Sequence, residues 1–440
     1  MGVGTQSEAW LAAARLVRRT GFGATGAEVD SAVRLGASDY VERALAADPA
    51  HDAGVDATPA PTLPQIPVLP RGASASERAQ LNRQRSEQLA TITSWWIRRM
   101  VAARAPFGEK LTFCWHNHFA TAASKVRSAQ WMLLQNERLR SMGRGDFGAL
   151  AKAMLVDAAM LDWLDGERNT VNGANENLSR EFLELFTLGH GSGFTEADVR
   201  EGARALTGWR IKPDGSTALR PRLHDRGSKT VLGVTGDLDQ AGFGEAVLRH
   251  PACARHVATR TYRQLVSDTT PTAEVVDRLV AGYGPDRDLS GLLRTMFTDP
   301  SFAIARGGIV AGPVEWLVGA VRALRVAVPD DMTGRRLAAV LRELGELPFY
   351  PPNVAGWPSG RAWLSSAAVD LRMRTALALT RSANLSSVTA VSPADRIDAV
   401  GYLIGVGDWS DRTVAALRPH TGQPAQLAAI ALNAPEYLVH

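Results

Sequence analysis

The sequence predicts an all-α protein: one large domain of many helices packed antiparallel, with a small β-hairpin inserted into it. Apolar residues recur through most of the 440 residues at spacings of three and four, which is the period of a helix with one buried face. Capping residues stand in front of several of these segments. The helical period is lost over residues 216–236, where glycine, proline and β-branched residues indicate a loop or a short hairpin at 217–235.

The first elements can be placed from the N-terminus onwards. Thr25 and Glu28 have capping-box spacing and predict the start of a helix, and a second helix is expected over residues 38–46. Six prolines lie between Pro49 and Pro70, so this stretch cannot form a regular helix and is expected to be exposed. We therefore divide the chain into an N-terminal helical segment (1–48), a proline-rich linker or loop (49–74) and a main helical domain (75–440).

The main domain is predicted to begin with a long amphipathic helix over residues 76–103. Further helices are predicted to end near His118, to span 129–142, 147–157 and 177–188, and to recur from Thr195 to the C-terminus. The segment PFYPPNVAGWPSGRAW (348–363) has too much proline and glycine for a regular element, and long irregular loops are often functional. Its Trp357 could stack against a sugar ring, although such tryptophans also anchor loops to a core.

Composition and charge exclude several classes of protein. The chain is 45% hydrophobic and 21% charged, with a net charge of +4 and no run of like charges, which argues against nucleic-acid binding. No apolar stretch is long enough to span a membrane, and the N-terminus lacks a signal-peptide pattern. We expect a cytoplasmic protein as given, or an exported one if a leader was removed. Cys114 and Cys253 lack CxxC neighbours and are expected to be buried thiols, with one disulfide between them left open.

The stretch NENLSREFLELFTLG (175–189) carries the strongest chemical signal. On a helix, Glu181 and Glu184 lie about 60° apart, at the edge of the apolar face. Partial burial raises a carboxyl pKa, which suits a general acid, and Arg180 at i−4 would keep Glu184 ionised. The alternative is an ordinary solvated face with Glu176, Arg180 and Glu184 paired at helical spacing.

Two other motifs bring polar side chains together. WHNHF places His116 and His118 two residues apart, so they diverge by about 200° on a helix and give only a weak metal signal. LHDRGSK clusters His224, Asp225 and Lys229 in a loop, and Lys229 is one of only five lysines in the chain. Loops can converge polar groups on a site, but the same residues are also ordinary turn formers.

Several of these stretches together resemble, in order, the motifs of the bacterial DUF1800 family over residues 11–380. The matching motifs are RLVRRTGFGAT, KLTFCWHNHFAT, AMLDWLDGERN, NENLSREFLELFTLG, FTEADVREGARALTGW, HDRGSKTVLG, PVEWLVGAVRAL and PPNVAGWPSGRAW. The resemblance implies a bacterial protein, commonly exported, with a partner protein encoded nearby, and it implies no activity. Within it, the pattern W-x-x-H-F falls on Trp115, His118 and Phe119. Polar family residues on both a helix and distant loops favour a functional interpretation.

We therefore expect a hydrolase with a carboxylate and histidine acid–base site, acting on a polar substrate, with a glycan among the candidates. Glu181 is assigned as the general acid or the base that activates water, with Glu184 as its electrostatic partner and His118 as the orienting group. Asp225 is the alternative second carboxylate. The residues expected to bind a polar or anionic small molecule or glycan are Arg180, His224, Lys229, Asn177, Trp115 and Trp357.

Two further interpretations stay open. The first is a divalent-metal-dependent enzyme with His118, Glu181 and either His224 or Asp225 as ligands. The second is a non-catalytic helical scaffold or binding protein that works with a partner enzyme. In that case the glutamates of the 177–188 helix would be paired surface charges.

Overall fold

The structure is a computed structural model that describes residues 4–66, 70, 72–304 and 308–440. In these residues lie 25 α-helices: α1 (Glu8–Arg19), α2 (Gly26–Leu35), α3 (Ala37–Ala46), α4 (Ala53–Asp56), α5 (Ala75–Ala102), α6 (Phe107–His118), α7 (Ala123–Val126), α8 (Ala129–Met142), α9 (Phe147–Met154), α10 (Ala158–Trp163), α11 (Asn177–Glu181), α12 (Glu196–Ala205), α13 (Gln240–Leu248), α14 (Pro251–Leu265), α15 (Ala273–Tyr283), α16 (Leu289–Thr298), α17 (Pro300–Ile304), α18 (Pro313–Ala323), α19 (Asp331–Leu344), α20 (Ser366–Thr380), α21 (Ser386–Thr389), α22 (Arg396–Leu403), α23 (Asp411–Leu417), α24 (Pro424–Ala431) and α25 (Pro435–Leu438). The all-α prediction is confirmed.

The β-structure consists of two short antiparallel hairpins. Strands β1 (Trp209–Ile211) and β2 (Thr217–Leu219) form the first, and β3 (Lys229–Val231) and β4 (Val234–Gly236) form the second. The predicted small hairpin insertion is therefore present, but as two hairpins over a slightly longer segment. Strand β1 was not anticipated because three residues directly after Gly208 are too few to show an alternating pattern.

Capping chemistry sets the helix starts as the sequence predicted. Thr25 and Glu28 form a reciprocal capping box at the start of α2. Thr195 and Asp198 do the same at the start of α12. In each case a hydroxyl and a carboxylate satisfy backbone groups that a helix end leaves unpaired. Helix α8 has the predicted limits, whereas α9 is shorter than predicted and is followed by a turn into α10.

Hydrogen bonds tie the described part of the proline-rich segment to the main body, through Asp52 and through carbonyls that accept from side chains of α5. The carboxylate of Asp52 caps α4, accepting from the backbone N–H of Gly54 and Val55 at 2.8 Å. Its second oxygen accepts from the backbone N–H of Arg104 and Ala105 after α5. Residues 67–69 and 71 of the predicted linker lie outside the described residues. The division into three segments stays a prediction.

Helix α6 lies between two hydrophobic cores, and ten of its twelve residues are buried. Its Leu111 and Trp115 belong to a core shared with α9, α14 and α16. Its Phe113 packs against a second core built mainly by α5, α18, α19 and α24. A helix that is buried on all sides must find internal partners for its polar side chains, because water cannot supply them.

Glu109 on α6 has the most complete set of such partners. Its carboxylate accepts from Arg99 at 2.6 Å, from Arg140 at 2.7 Å and 2.9 Å, and from the indole N–H of Trp96 at 2.9 Å. All four side chains are buried. The two guanidiniums lower the pKa of Glu109 against the opposing effect of burial. This cluster joins α5, α6 and α8.

Two absences apply to the described residues. None of their helices combines the length and apolar character needed to cross a bilayer. Both cysteines are free and buried, and burial raises the pKa of each thiol to about 12. The expectation of buried thiols is confirmed, and the disulfide that the sequence left open is not formed.

We expect Glu109→Gln to lower the free energy of unfolding by about 3 kcal/mol or more, because it leaves the buried Arg99 without a counter-charge and Arg140 with only Glu137. The control is Glu137→Gln, which removes an exposed partner of the same Arg140 and should cost less than about 1 kcal/mol. Urea unfolding followed by circular dichroism measures both. Equal losses of unfolding free energy in the two variants would contradict the prediction that the buried cluster stabilises the fold more than the outer pair does.

Candidate functional site

The predicted acidic helix does not continue as an α-helix. α11 ends at Glu181, and residues Phe182–Thr187 form a π-helix. Here the N–H of Leu188 donates to the carbonyl of Leu183 at 2.9 Å, five residues back. We call α11 and the π-helix together the acidic helix. A π-helix has an extra residue in each turn and often marks a functional region, yet nothing in the apolar period of the sequence distinguishes it from an α-helix.

Two backbone carbonyls of the π-helix bind histidines from other helices. The Leu185 carbonyl accepts from Nε2 of His256 at 2.9 Å, and the Phe186 carbonyl accepts from Nε2 of His118 at 2.8 Å. Because a carbonyl can only accept, both imidazoles carry their proton on Nε2. Both Nδ1 atoms are therefore unprotonated in the neutral rings.

His118 is a core residue rather than an open catalytic group. Its ring is fully buried against Trp115, Phe119 and Phe147. Burial lowers the pKa of the imidazole well below its ordinary value. In the described part of the chain, no hydrogen bond or ion pair joins His118 to either glutamate of the acidic helix. Its contacts give it the task of holding the π-helix against α6.

The two glutamates form part of a half-buried surface network. Burial, with a contribution from the charge of Glu184, raises the pKa of Glu181, which agrees with the expected direction. Glu184 contacts Arg180 at 3.5 Å and His190 at 3.6 Å. Arg180 also pairs with Glu196 at 2.8 Å. The expected Arg180–Glu184 pairing is present, within a larger cluster of surface charges.

The loop residues use their polar groups to fix their own loop. His224 lies 2.9 Å from the Thr207 carbonyl through Nδ1. Asp225 forms a two-point pair with Arg204 at 2.7 Å and 3.2 Å, and this lowers the pKa of the carboxyl. Lys229 is buried and donates to a carbonyl of the loop itself at 2.9 Å. Asp225 is therefore held ionised and occupied, which does not suit it to proton donation.

Trp115 and Asn177 were also expected to bind substrate, and each has different surroundings. Trp115 is buried, and its indole N–H donates to the Gly143 carbonyl at 2.7 Å. Asn177 is exposed at the first position of α11. The first holds two segments of the core together, and the second lies on the surface.

The metal-dependent alternative requires His118 and Glu181 to meet His224 or Asp225. Among the residues that the structure describes, no group of three or more histidine, cysteine, aspartate or glutamate side chains is arranged to hold a metal ion. The four side chains instead have the separate surroundings given above. This predicted ligand set is not assembled in the structure.

The structure contains a cavity of about 360 Å³ beside α6. Its floor is one face of that helix, formed by Lys110, Phe113, Cys114 and Asn117 at positions i, i+3, i+4 and i+7. The facing wall is α14, and further walls come from α18, the irregular segment 348–363, Glu346 and the segments around Asp268 and Val310. We call this space the α6 cavity. Its lining residues on α14 are His256, Thr259, Arg260, Arg263 and Gln264.

The irregular segment is held to the cavity by α6 and α14. The Asn117 side chain accepts from the Trp357 backbone N–H at 2.8 Å and donates to Gln264 at 3.2 Å. Arg260 donates to the Ala355 carbonyl at 3.0 Å. Trp357 thus lines the α6 cavity. The irregular loop and the tryptophan that the sequence marked as candidate functional elements are both part of this cavity.

Three carboxyl groups line the cavity in different surroundings. Glu315 pairs with Lys110 at 3.2 Å, and both side chains are buried. Glu346 is buried, and one of its oxygens accepts from the backbone N–H of Val314 at 2.8 Å. Burial, with a contribution from the charge of Glu315, raises the pKa of Glu346 to about 8. Burial likewise raises the pKa of the half-buried Asp268.

Three polar atoms on the cavity walls are buried and have no hydrogen-bond partner in the described protein. They are Oε1 of Glu315, Nε of Arg260 and Nε1 of Trp357. Buried polar atoms without partners are uncommon in folded proteins. Three of them on the lining of one cavity indicate a place that accommodates polar ligand groups.

Sequence reasoning missed most of the α6 cavity, although some signals were present. Lys110 lies in the motif KLTFCWHNHFAT and is one of five lysines, and Glu315 lies in PVEWLVGAVRAL. The polar stripe of α14 could have been read from its helical spacing. Glu346 had no local signal, because its position beside the start of α18 depends on tertiary structure.

Comparison with known proteins adds the family. A family model described as "Protein of unknown function (DUF1800)" matches residues 15–439. No curated protein and no solved structure matches the chain. The matched range covers nearly the whole sequence and confirms the resemblance given by the motifs.

We expect the raised pKa of Glu346 to appear as a pH-dependent loss of stability. The carboxyl has an ordinary pKa of 4.5 and a folded-state pKa of about 8. Between these values the unfolded chain is ionised while the folded chain keeps the proton, so the free energy of unfolding falls as the pH rises. Glu346→Gln keeps the acceptor for Val314 but does not titrate. Wild type should lose about 1.4 kcal/mol per pH unit relative to this variant.

Urea unfolding at several pH values between about 5 and 8 measures this difference. Glu343→Gln, an exposed glutamate on α19, is the control and should follow wild type at every pH. Parallel curves for wild type and Glu346→Gln would contradict the prediction.

Proposed function

The chain belongs to the DUF1800 family, and we propose that it is a hydrolase whose acid–base site is the α6 cavity. The observation that carries the proposal is that a buried carboxyl, Glu346, and an imidazole fixed through its Nε2, His256, line the same cavity. Near pH 7, the carboxyl of Glu346 carries its proton and the imidazole of His256 does not. A site that presents an acid and a base together, each in its reactive form, is suited to hydrolysis.

Glu346 is the proposed general acid. One of its oxygens accepts the hydrogen bond from the Val314 N–H, so the proton is carried by the other oxygen. Burial at a cavity wall favours this neutral form. The proton is then available to the leaving group of a bound substrate.

His256 is the proposed general base. Its Nε2–H is held by the Leu185 carbonyl of the π-helix, which leaves the lone pair on Nδ1 free to take a proton from water. Burial lowers the pKa of the imidazole, so the ring is neutral at pH 7. In this proposal the acidic helix positions the base through its backbone, and its two glutamates are not the reacting groups.

The walls favour a polar substrate with apolar faces. Trp357 stacks on Phe113 with ring centroids 5.2 Å apart, and its buried indole N–H has no partner in the described protein. Trp363 lines the same side of the cavity, and Asn117 and Gln264 supply amide groups. Aromatic walls combined with amide donors and acceptors are suited to sugars. We therefore retain a glycan as the leading substrate class.

We expect Glu346→Gln to lower kcat by about 100-fold or more on whichever substrate a panel of chromogenic glycosides and esters identifies for the wild type. Wild-type activity should have a bell-shaped pH profile, with the alkaline limb near pH 8 set by Glu346 and the acid limb below 6.5 set by His256. The variant should lose the alkaline limb.

Glu181→Gln is the matched control, since it makes the same change in a partly buried glutamate of the acidic helix. It should leave both kcat and the pH profile close to wild type. Loss of activity in Glu181→Gln with retention in Glu346→Gln would instead locate catalysis at the acidic helix. Equal activity in all three proteins would contradict both acid–base assignments.

A further inference from the structure

Two arginines on the α14 wall of the α6 cavity have no carboxylate partner. Arg260 and Arg263 are three residues apart on one face of the helix, and both line the cavity. Arg260 hydrogen-bonds only to the carbonyls of Ala355 at 3.0 Å and Asn117 at 3.4 Å, and its Nε has no partner. Arg263 makes no hydrogen bond or ion pair within the described residues, and its charge acts at longer range on Asp268, a carboxyl of the same cavity.

Two other cations, one on the cavity floor and one on α14, are paired with carboxylates. Lys110 on the floor pairs with Glu315. Arg255, on the same helix α14, pairs with Asp277 on α15. The two unpaired guanidiniums also repel one another, and burial together with the charge of Arg263 lowers the pKa of Arg260 to about 10. Arg260 nevertheless stays protonated at neutral pH, so the wall presents two positive charges to the cavity.

We infer that the α6 cavity binds its substrate through an oxyanion group, a carboxylate, sulfate or phosphate, held by Arg260 and Arg263. The inference rests on the proposed function for the location of the reacting groups. A guanidinium presents a planar fork of N–H donors that matches such groups and remains charged at any physiological pH. The free Nε of Arg260 and the unpaired Arg263 supply the donors.

The spacing along α14 separates this anion site from the reacting centre. His256, the proposed base, is four residues before Arg260 and seven before Arg263. At 1.5 Å per residue the arginines lie about 6 Å and about 10 Å further along the helix axis. The oxyanion is therefore a charged substituent of the substrate, carried one ring or a few bonds away from the bond that is broken.

The test is isothermal titration calorimetry on the full chain at low ionic strength, with four probes of similar size. D-glucuronate, D-glucose 6-sulfate and D-glucose 6-phosphate carry the three anionic groups, and D-glucose is the neutral control. We expect at least one anion to bind about tenfold or more tightly than glucose, and added salt to weaken it. A preference for glucuronate assigns a carboxylate, and a preference for either ester assigns a tetrahedral group.

Arg263→Gln should weaken binding of the preferred anion about tenfold or more. Its side chain is exposed and has no partner, so this variant is expected to fold even if Arg260→Gln does not. Arg255→Gln is the matched control on the same helix and should bind as wild type does. Unchanged binding in Arg263→Gln, or no saturable binding of any of the three anions, overturns the inference.

The two proposals can fail separately. Glu346→Gln should bind the anion as wild type does while losing turnover. Anion binding that needs Arg263, together with unchanged hydrolysis in Glu346→Gln, would refute only the acid–base assignment. Loss of hydrolysis in Glu346→Gln, together with unchanged anion binding and unchanged kcat/KM in Arg263→Gln, would refute only the oxyanion site.

Discussion

The burial of α6 on all its faces is the constraint on which the rest of the molecule depends. This helix carries charged and polar side chains into the interior, and several of them are matched by side chains or carbonyls of neighbouring elements. Glu109 is matched by arginines of α5 and α8, Lys110 by Glu315 of α18, and His118 by the π-helix. A buried charge without its partner is far more costly than a missing surface pair. These buried contacts fix the elements around α6 in position. The α6 cavity is the space that remains between α6, α14, α18 and the segment 348–363.

The π-helix is the second consequence of this arrangement. Because the π-helix ends at Thr187, the carbonyls of Leu185 and Phe186 lie in its last turn and are available to imidazoles outside the helix. His118 uses one of them to attach the acidic helix to α6, and His256 uses the other at the cavity wall. Both rings are neutral because burial disfavours the charged form. The polar motif that stands out in the sequence is thus linked to the cavity through its backbone, while Glu181 lies in a half-buried surface network.

Local chemistry made part of this structure predictable. The capping box of Thr25 fixed the start of α2 before any tertiary contact was considered, and the density of proline and glycine marked the segment around Trp357 as an irregular loop. The π-helix was not predictable, because the apolar period is nearly the same in both kinds of helix. The pairing of Asp225 with Arg204 was not predictable, because it depends on how the loop packs against α12. The cavity was missed because Lys110 and the other lining residues are brought together from segments more than 200 residues apart.

Glu346 shows how one tertiary contact can serve both folding and chemistry. Helix α18 begins at Gly312 without a capping side chain, and the Glu346 carboxyl supplies the missing acceptor to Val314. A Cβ at Gly312 would lie 2.7 Å from a Glu346 oxygen, so a larger residue here would displace the Glu346 carboxyl. The cap needs one oxygen and leaves the other to carry the proton. In the proposed reaction, the carboxylate that remains after proton transfer faces a helix N-terminus and the nearby charge of Lys110, both of which favour an anion. Burial therefore keeps the resting Glu346 carboxyl protonated, while the Val314 N–H and Lys110 offset part of the cost of the carboxylate that the proposed general acid leaves behind.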